Sequence, residues 1–216
     1  MLVNESVLVG RYLFSALENS QTRRVLNVGS SSLEYRSQIQ PYIEREVFYP
    51  VTEKLGATIV HCDAKEESGA DLIVDLLAPE AVALLRALSA DAFVVANLLE
   101  HVEVVDDAVL QLDRIITSGS YLVASGPKSF PYHPDPIDNM FRPERWQVQS
   151  LFRNFDLIEW GEVNHRTLAR SVSGSRKQAA RFLFREFASA PPGERIAAGR
   201  RSLTPVSAWC ALMRKK

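Results

Sequence analysis

Short apolar runs alternate with longer amphipathic or polar stretches along most of the chain. The apolar runs predict β-strands at residues 25–28, 57–62, 71–75, 92–96, 120–124, 157–160 and 206–213. Apolar residues at helical spacing predict helices at residues 5–19, 79–88, 104–116 and 144–155. Short apolar strands that alternate with helices are typical of a mostly parallel sheet covered on both faces. The pattern therefore predicts an α/β fold.

The composition agrees with one soluble domain. Of the 216 residues, 46% are hydrophobic and 24% are charged, as in ordinary globular domains. We predict a single domain over residues 1–216, with an N-terminal helical segment at residues 1–22. Its two cysteines, Cys62 and Cys210, are too few for a disulfide framework or a cysteine-ligated zinc site. Because we find neither a signal peptide nor a long apolar span, we expect a cytoplasmic protein.

Charge is divided unevenly along the chain. Residues 1–163 carry 13 lysines and arginines against 24 acidic residues, whereas residues 164–216 carry 12 against 2. Lys177, Arg181 and Arg185 recur at four-residue spacing, which predicts a basic helical insertion at residues 164–203 before the last strand. This segment either packs on the acidic body, as we favour, or attracts an anionic partner such as a phosphate-bearing substrate, a lipid surface or nucleic acid. Without a recognition motif we expect no nucleic-acid partner.

A candidate ligand site follows the first predicted strand, where Gly29 and three serines occur in succession. Open parallel sheets bind ligands beyond the carboxyl ends of their strands, where the strand order reverses. Gly29 permits a sharp turn, and the amides and hydroxyls that follow suit a carboxylate or phosphate. Dinucleotide sites need Gly-x-Gly-x-x-Gly, but Ser31 and Glu34 occupy the second and third glycine positions. The turn therefore disfavours a dinucleotide and remains compatible with S-adenosylmethionine, although an ordinary strand-to-helix turn explains it equally well.

Two aspartates follow the next two predicted strands. Asp63 comes after the second strand, where its carboxylate could accept both hydroxyls of a ribose. Asp75 closes the third strand, where it could reach an adenine amino group. The alternative is that each carboxylate caps the next helix or faces water.

Several sequence elements carry a family resemblance. They are Val-Leu-Asn-Val-Gly-Ser at residues 25–30, Gly-Ala-Asp-Leu-Ile-Val-Asp-Leu at 69–76, Asn-Leu-Leu-Glu-His-Val at 97–102, and residues 113–123. The chain resembles the class I S-adenosylmethionine-dependent methyltransferases, especially the group called methyltransferase type 11. The resemblance spans residues 23–160, and the Leu-Glu-His-Val element is its most characteristic part. It departs at Asn27, where the family usually has an acid, and at Ser31, where the family has a second glycine.

The resemblance implies a Rossmann-like, seven-stranded, mostly parallel sheet and S-adenosylmethionine as cofactor. The cofactor-binding residues that we predict lie at the ends of the first four strands and in the turns after them: Asn27, Gly29, Ser30, Ser31, Asp63, Asp75 and Asn97.

The proline-rich loop after the fifth predicted strand is the candidate acceptor site, and it looks like a loop of some bacterial members of the family. We predict that His133 is the catalytic base for a hydroxyl acceptor, because imidazole titrates near neutrality; alternatively, it only bonds the backbone. The predicted substrate-binding residues are His101, Tyr132, Asp135, Asp138 and Arg142. Asp135 and Asp138 beside His133 could also bind a divalent cation. Three candidate ligands on one flexible stretch are a weak signature, so we predict no metal.

Two functions follow from these residues. The leading hypothesis is a methyltransferase that acts on an oxygen atom of a small molecule or sugar precursor, as a monomer or homodimer. The alternative is a catalytically inactive protein of the same fold that binds an anionic partner through its basic C-terminal segment.

Overall fold

One seven-stranded sheet forms the centre of the protein. The computed structural model describes residues 1–20, 23–66, 69–133, 136–165, 167–171, 177, 179–181, 184, 195 and 203–216. In chain order the strands are β1 (Arg24–Val28), β2 (Thr58–Asp63), β3 (Leu72–Ile73), β4 (Ala92–Ala96), β5 (Tyr121–Ser129), β6 (Phe155–His165) and β7 (Val206–Lys215). They are arranged as β3-β2-β1-β4-β5-β7-β6. The first five strands run parallel, and β7 is antiparallel to both β5 and β6.

Helices cover the sheet. They are α1 (Val3–Leu17), α2 (Tyr49–Leu55), α3 (Ala81–Ala87), α4 (Val105–Ile115), α5 (Arg145–Leu151) and α6 (Leu168–Ser171). Two π-helical turns, Tyr35–Ile39 and Glu44–Phe48, connect β1 to α2, and a 3-10 turn, Leu99–His101, follows β4. The predicted α/β fold with a seven-stranded, mostly parallel sheet is therefore confirmed.

The strand order places a crevice between β1 and β4. From β1 the chain moves outward to β2 and β3, and it then returns to β4 on the other side of β1. This reversal is the point at which open α/β sheets bind ligands, beyond the carboxyl ends of the strands. The residues that follow β1 and β4 therefore face a common space.

Helix α1 covers one face of the sheet with its apolar stripe. Val9, Leu13 and Leu17 are fully buried there and pack with Val94 and Val123 of the sheet. Each such side chain contributes about 1.5 to 3 kcal/mol by leaving water. This packing anchors the N-terminus of α1 over the crevice.

Helix α4 shows how the sequence specifies a surface helix. Ala108, Leu112 and Ile115 recur at helical spacing and are buried in the core on the other face of the sheet. Two acidic residues lie in the first turn and Arg114 lies in the last, where each charge complements the helix dipole.

The boundaries of several elements differ from the predictions. β3 has only two residues, and the aspartates beside it bind backbone amides: Asp71 accepts from His61 N–H, and Asp75 accepts from Leu77 N–H. The predicted helix at residues 144–155 ends at Leu151, since Phe155 already pairs with Lys215 in β6. β5 and β6 extend beyond their apolar runs because β7 provides backbone partners along their length.

Most of the predicted basic insertion at residues 164–203 lies outside the described residues. β6 reaches His165, and Lys177 and Arg181 have helical backbone, while Arg185 is not described. Among the described residues, no helix is long and apolar enough to cross a membrane.

Candidate functional site

A cavity of about 290 Å³ lies at the carboxyl ends of β1 and β4. Its walls come from β1 and its turn, from the segment between that turn and α2, from β4 and its turn, from the N-terminus with α1, from the end of β5 and the loop after it, and from β7. Lining residues include Met1, Glu5, Asn27, Gly29, Ser30, Ser31, Asn97, His101, Phe130, His133, Ser207 and Ala208. The structure thus brings predicted cofactor-binding and acceptor-site residues to one cavity. The cofactor-binding residues are Asn27, Gly29, Ser30, Ser31 and Asn97, and the acceptor-site residues are His101 and His133.

The serine turn, Gly29 to Ser32, forms one end of the cavity. Gly29 has a φ of +71°, and a Cβ atom there would lie 2.8 Å from Leu98 Cδ1. Ser31 also has a positive φ, of 58°, and its N–H donates to Asp63 Oδ2 at 2.7 Å. Glycine is favoured at position 29 because a side chain there would be strained at this φ and would press on Leu98.

A buried arginine supports the serine turn. Arg36 Nη1 donates to the carbonyl of Ser31 at 2.8 Å and lies 3.3 Å from Ser30 Oγ. Its Nε donates to Glu44 Oε1 at 3.0 Å, and the Arg36 side chain is only 3% exposed. The turn therefore has a fixed shape before any ligand binds.

The two predicted aspartates hold their own loops. Asp63 is buried and accepts from the N–H groups of Ser31 and Lys65. Asp75 is exposed and accepts from Leu77 N–H at 2.9 Å. Neither is among the described residues that line the cavity. Asp63 nevertheless contacts the serine turn directly, whereas Asp75 does not.

Asn27 and Asn97 present amides to the cavity. Asn27 Nδ2 donates to His61 Nδ1 at 3.0 Å, and burial together with the nearby Arg36 charge lowers the pKa of His61. Asn97 has a φ of 52°, and its Nδ2 donates to Glu5 Oε1 at 2.7 Å. Both amides are oriented by hydrogen bonds to neighbouring side chains.

The histidine pair, His101 and His133, forms the other end of the cavity. The two rings lie edge to face with centroids 5.3 Å apart. His101 Nδ1 lies 2.6 Å from the carbonyl of Ile137, and His133 Nδ1 lies 3.0 Å from the carbonyl of Pro131. Since a carbonyl only accepts, each Nδ1 carries a proton, and in a neutral ring Nε2 then has the lone pair. Burial lowers the pKa of His133, which favours this neutral form.

Asp138 and Arg142 hold the loop that carries His133. Asp138 Oδ2 accepts from Arg142 Nη2 at 2.8 Å and from His133 N–H at 3.0 Å, and Oδ1 accepts from Met140 N–H. Burial alone would raise the pKa of Asp138, but these hydrogen bonds and the Arg142 charge lower it to about 2. Of the other predicted substrate-binding residues, Tyr132 is 64% exposed, and Asp135 lies outside the described residues.

No protein-family model and no curated protein sequence matches the chain. Solved structures match it over most of its length. A SAM-dependent methyltransferase from Archaeoglobus fulgidus is 14% identical, covering 98% of this chain and 94% of that one, with a TM-score of 0.52. Coclaurine N-methyltransferase, bound to N-methylheliamine and S-adenosylhomocysteine (SAH), is 9% identical, covering 98% and 72% of the two chains, with a TM-score of 0.56.

The chain has the class I methyltransferase fold. The cyclase SpnF also matches, at 14% identity over 97% of this chain and 80% of that one, with a TM-score of 0.56. Identities this low establish the fold alone. Since one methyltransferase-like fold supports different chemistries, the function has to be inferred from the site.

Three charged residues of this methyltransferase fold were not predicted as parts of the site: Arg36, Glu5 and Glu100. Glu5 is fully buried and accepts from Asn97 Nδ2, Ser125 Oγ and Leu2 N–H. The sequence feature that could have identified Glu5 is its position on the apolar face of α1, four residues before Val9. Glu100 is 1% exposed, and burial raises its pKa to about 8.

Proposed function

We propose that this protein is an S-adenosylmethionine-dependent methyltransferase that methylates an oxygen atom of a small molecule or sugar precursor. One observation carries the proposal. The serine turn and the histidine pair face the same cavity, at the strand-order reversal of a methyltransferase fold.

The serine turn is the proposed cofactor end of the cavity. Gly29, Ser30 and Ser31 would contact the amino acid part of the cofactor, with the serine hydroxyls as its polar partners, because the N–H groups of this turn already donate to the Cys62 carbonyl and to Asp63. Asn27 and Asn97 offer amide groups beside them, and the buried Glu5 carboxylate holds the Asn97 amide in place. Asp63, which bonds Ser31 N–H, is the predicted ribose ligand, and Asp75 is the predicted adenine ligand.

The histidine pair is the proposed acceptor end. Bound S-adenosylmethionine supplies an already activated methyl group, so the protein has chiefly to align the acceptor oxygen and exclude water. The unprotonated Nε2 of His133 suits an acceptor hydroxyl, which could donate a hydrogen bond to it. Asp138 and Arg142 would then position His133 from behind.

Calorimetric titration of the purified protein with S-adenosylmethionine and with SAH tests this proposal. We expect micromolar binding of both ligands with one site per chain. A folded protein that binds neither ligand at millimolar concentration would contradict the proposal and favour the non-catalytic alternative.

A pair of glycine variants locates the binding site. Gly29→Ala places a Cβ against Leu98 in the serine turn, whereas Gly56→Ala adds a Cβ at a similar φ of +68° with nothing within 4 Å. Both variants carry backbone strain, but only Gly29→Ala should weaken SAH binding, by at least tenfold. Equal affinities in the two variants would place the cofactor elsewhere.

A further inference from the structure

Three side chains with metal-binding atoms converge at the histidine end of the cavity. Glu100 and His101 lie on the 3-10 turn after β4, and His133 lies on the loop after β5. One ligand atom from each residue lies within 4.8 Å of the other two. Glu100 Oε1 and His101 Nε2 are 3.9 Å apart.

Both imidazoles are oriented as metal ligands are in proteins. His101 Nδ1 donates to the Ile137 carbonyl, and His133 Nδ1 donates to the Pro131 carbonyl beside the Asp138 carboxylate. A metal-binding histidine typically donates its second ring N–H to a carbonyl or carboxylate, which fixes the ring and leaves the other nitrogen for the ion. Both rings donate Nδ1–H in this way, which leaves Nε2 of each ring for an ion.

Glu100 supplies an independent reason to expect a cation. Its Oε1 atom is buried and has no hydrogen-bond partner among the described residues. A buried carboxylate oxygen without a partner is costly. An ion beside Oε1 would provide both the missing partner and the missing positive charge.

We propose that Glu100, His101 and His133 bind a divalent first-row transition-metal ion. Two imidazoles and one carboxylate favour zinc, manganese, iron or cobalt over magnesium, which prefers oxygen ligands. Three protein ligands leave coordination positions open, and His101 and His133 line the cavity. An oxygen atom in the cavity could occupy such a position.

The ion has a clear use if the proposed function is correct, and that use rests on the proposed function. A bound metal would orient the acceptor oxygen and favour its deprotonated form. His133 would then be a ligand through Nε2 rather than a proton acceptor. Ligand atoms around such an ion lie about 3 to 3.5 Å apart, so binding would draw the three side chains together by up to about 1.5 Å.

Metal binding is tested directly on the tag-free, chelator-stripped full chain. Zn²⁺, Mn²⁺ and Co²⁺ are titrated by calorimetry, stoichiometry is measured by elemental analysis, and the Co²⁺ form is examined by visible absorption. We expect one ion per chain and visible absorption bands in the Co²⁺ form. No binding of any of the three ions at millimolar concentration would overturn the proposal.

Variants identify the ligands. Glu100→Gln, His101→Asn and His133→Asn should each weaken metal binding at least tenfold, whereas His165→Asn should not, since His165 lies outside the cluster. Equal loss in all four variants, or in none, would contradict the assignment. Circular dichroism checks that each variant is folded, and the wild-type titration remains decisive if one is not.

SAH titration of the same samples separates this inference from the proposed function. A chain that binds SAH but no metal fails only the metal proposal. A chain that binds metal but no SAH fails only the methyltransferase proposal.

Discussion

The two ends of the cavity present different chemical groups. The serine turn presents mainly backbone and hydroxyl groups, and its shape is fixed by Arg36 and Asp63 behind it. The histidine pair presents titratable side chains from two loops, held in place by carbonyls and by Asp138. In the proposed function, the serine turn binds the cofactor by its fixed shape, and the histidine pair acts on the acceptor.

Removal of the Arg36 charge should have the largest effect. Arg36→Met loses the charged hydrogen bonds to Ser31 and Glu44, so the free energy of unfolding should fall by about 3 kcal/mol. SAH affinity should fall about tenfold, because the serine turn loses its support. Arg45→Met is the matched control, since Arg45 forms an exposed ion pair with Glu46 and should cost less than about 1 kcal/mol. Chemical denaturation measures the free energy of unfolding of both variants. An equal decrease in the two variants would show that Arg36 does not support the serine turn.

The corresponding change at the histidine end is Asp138→Asn. The buried Asp138 side chain accepts three hydrogen bonds through two oxygen atoms. An asparagine side chain has only one acceptor oxygen, so at least one of these hydrogen bonds is lost. We expect the free energy of unfolding to fall by about 2 kcal/mol, with SAH affinity changed less than twofold. Asp156→Asn, at a side chain that is 72% exposed, should be neutral. If Asp138→Asn weakened SAH binding as strongly as Arg36→Met, the two ends would not be independent.

The two predicted cofactor aspartates should differ from each other. Asp63→Ala removes the acceptor of Ser31 N–H and should weaken SAH binding about tenfold, or about 1.4 kcal/mol. Asp75→Ala should change it less than threefold, because Asp75 is exposed and bonds only its own turn among the described residues. Calorimetry distinguishes the two variants. Unchanged affinity in Asp63→Ala would remove the ribose assignment.

Cofactor binding should be as little affected at His133 as at Asp138. His133→Asn should change SAH affinity less than twofold, yet it should reduce methyl transfer at least tenfold for any acceptor found in a screen of sugars and phenols. Transfer of a labelled methyl group measures this, with His165→Asn as the control. Full transfer by His133→Asn would exclude it from the chemistry.

Local patterns were sufficient to predict the strands of the fold and the position of the serine turn. The positions of the seven strands follow from apolar runs, and the turn at Gly29 follows from a glycine directly after the first run. The departures occur where tertiary pairing decides, as in β6, which β7 extends to His165. Such pairing leaves no periodic signal in the strand itself.

The histidine end could be predicted only in part. His101 and His133 were identified separately, but 31 residues lie between them, and only the fold brings their rings to 5.3 Å. Glu100 is absent from the predicted site residues, because neither its burial nor the missing hydrogen-bond partner of its Oε1 atom among the described residues is visible in the sequence.

A crystal structure of the protein with SAH tests the central claim most directly. We predict that SAH occupies the cavity between β1 and β4, in contact with Gly29 and Asn97, and that the histidine pair faces its sulfur. SAH bound elsewhere, or bound with its sulfur away from the histidine pair, would contradict this division of the cavity.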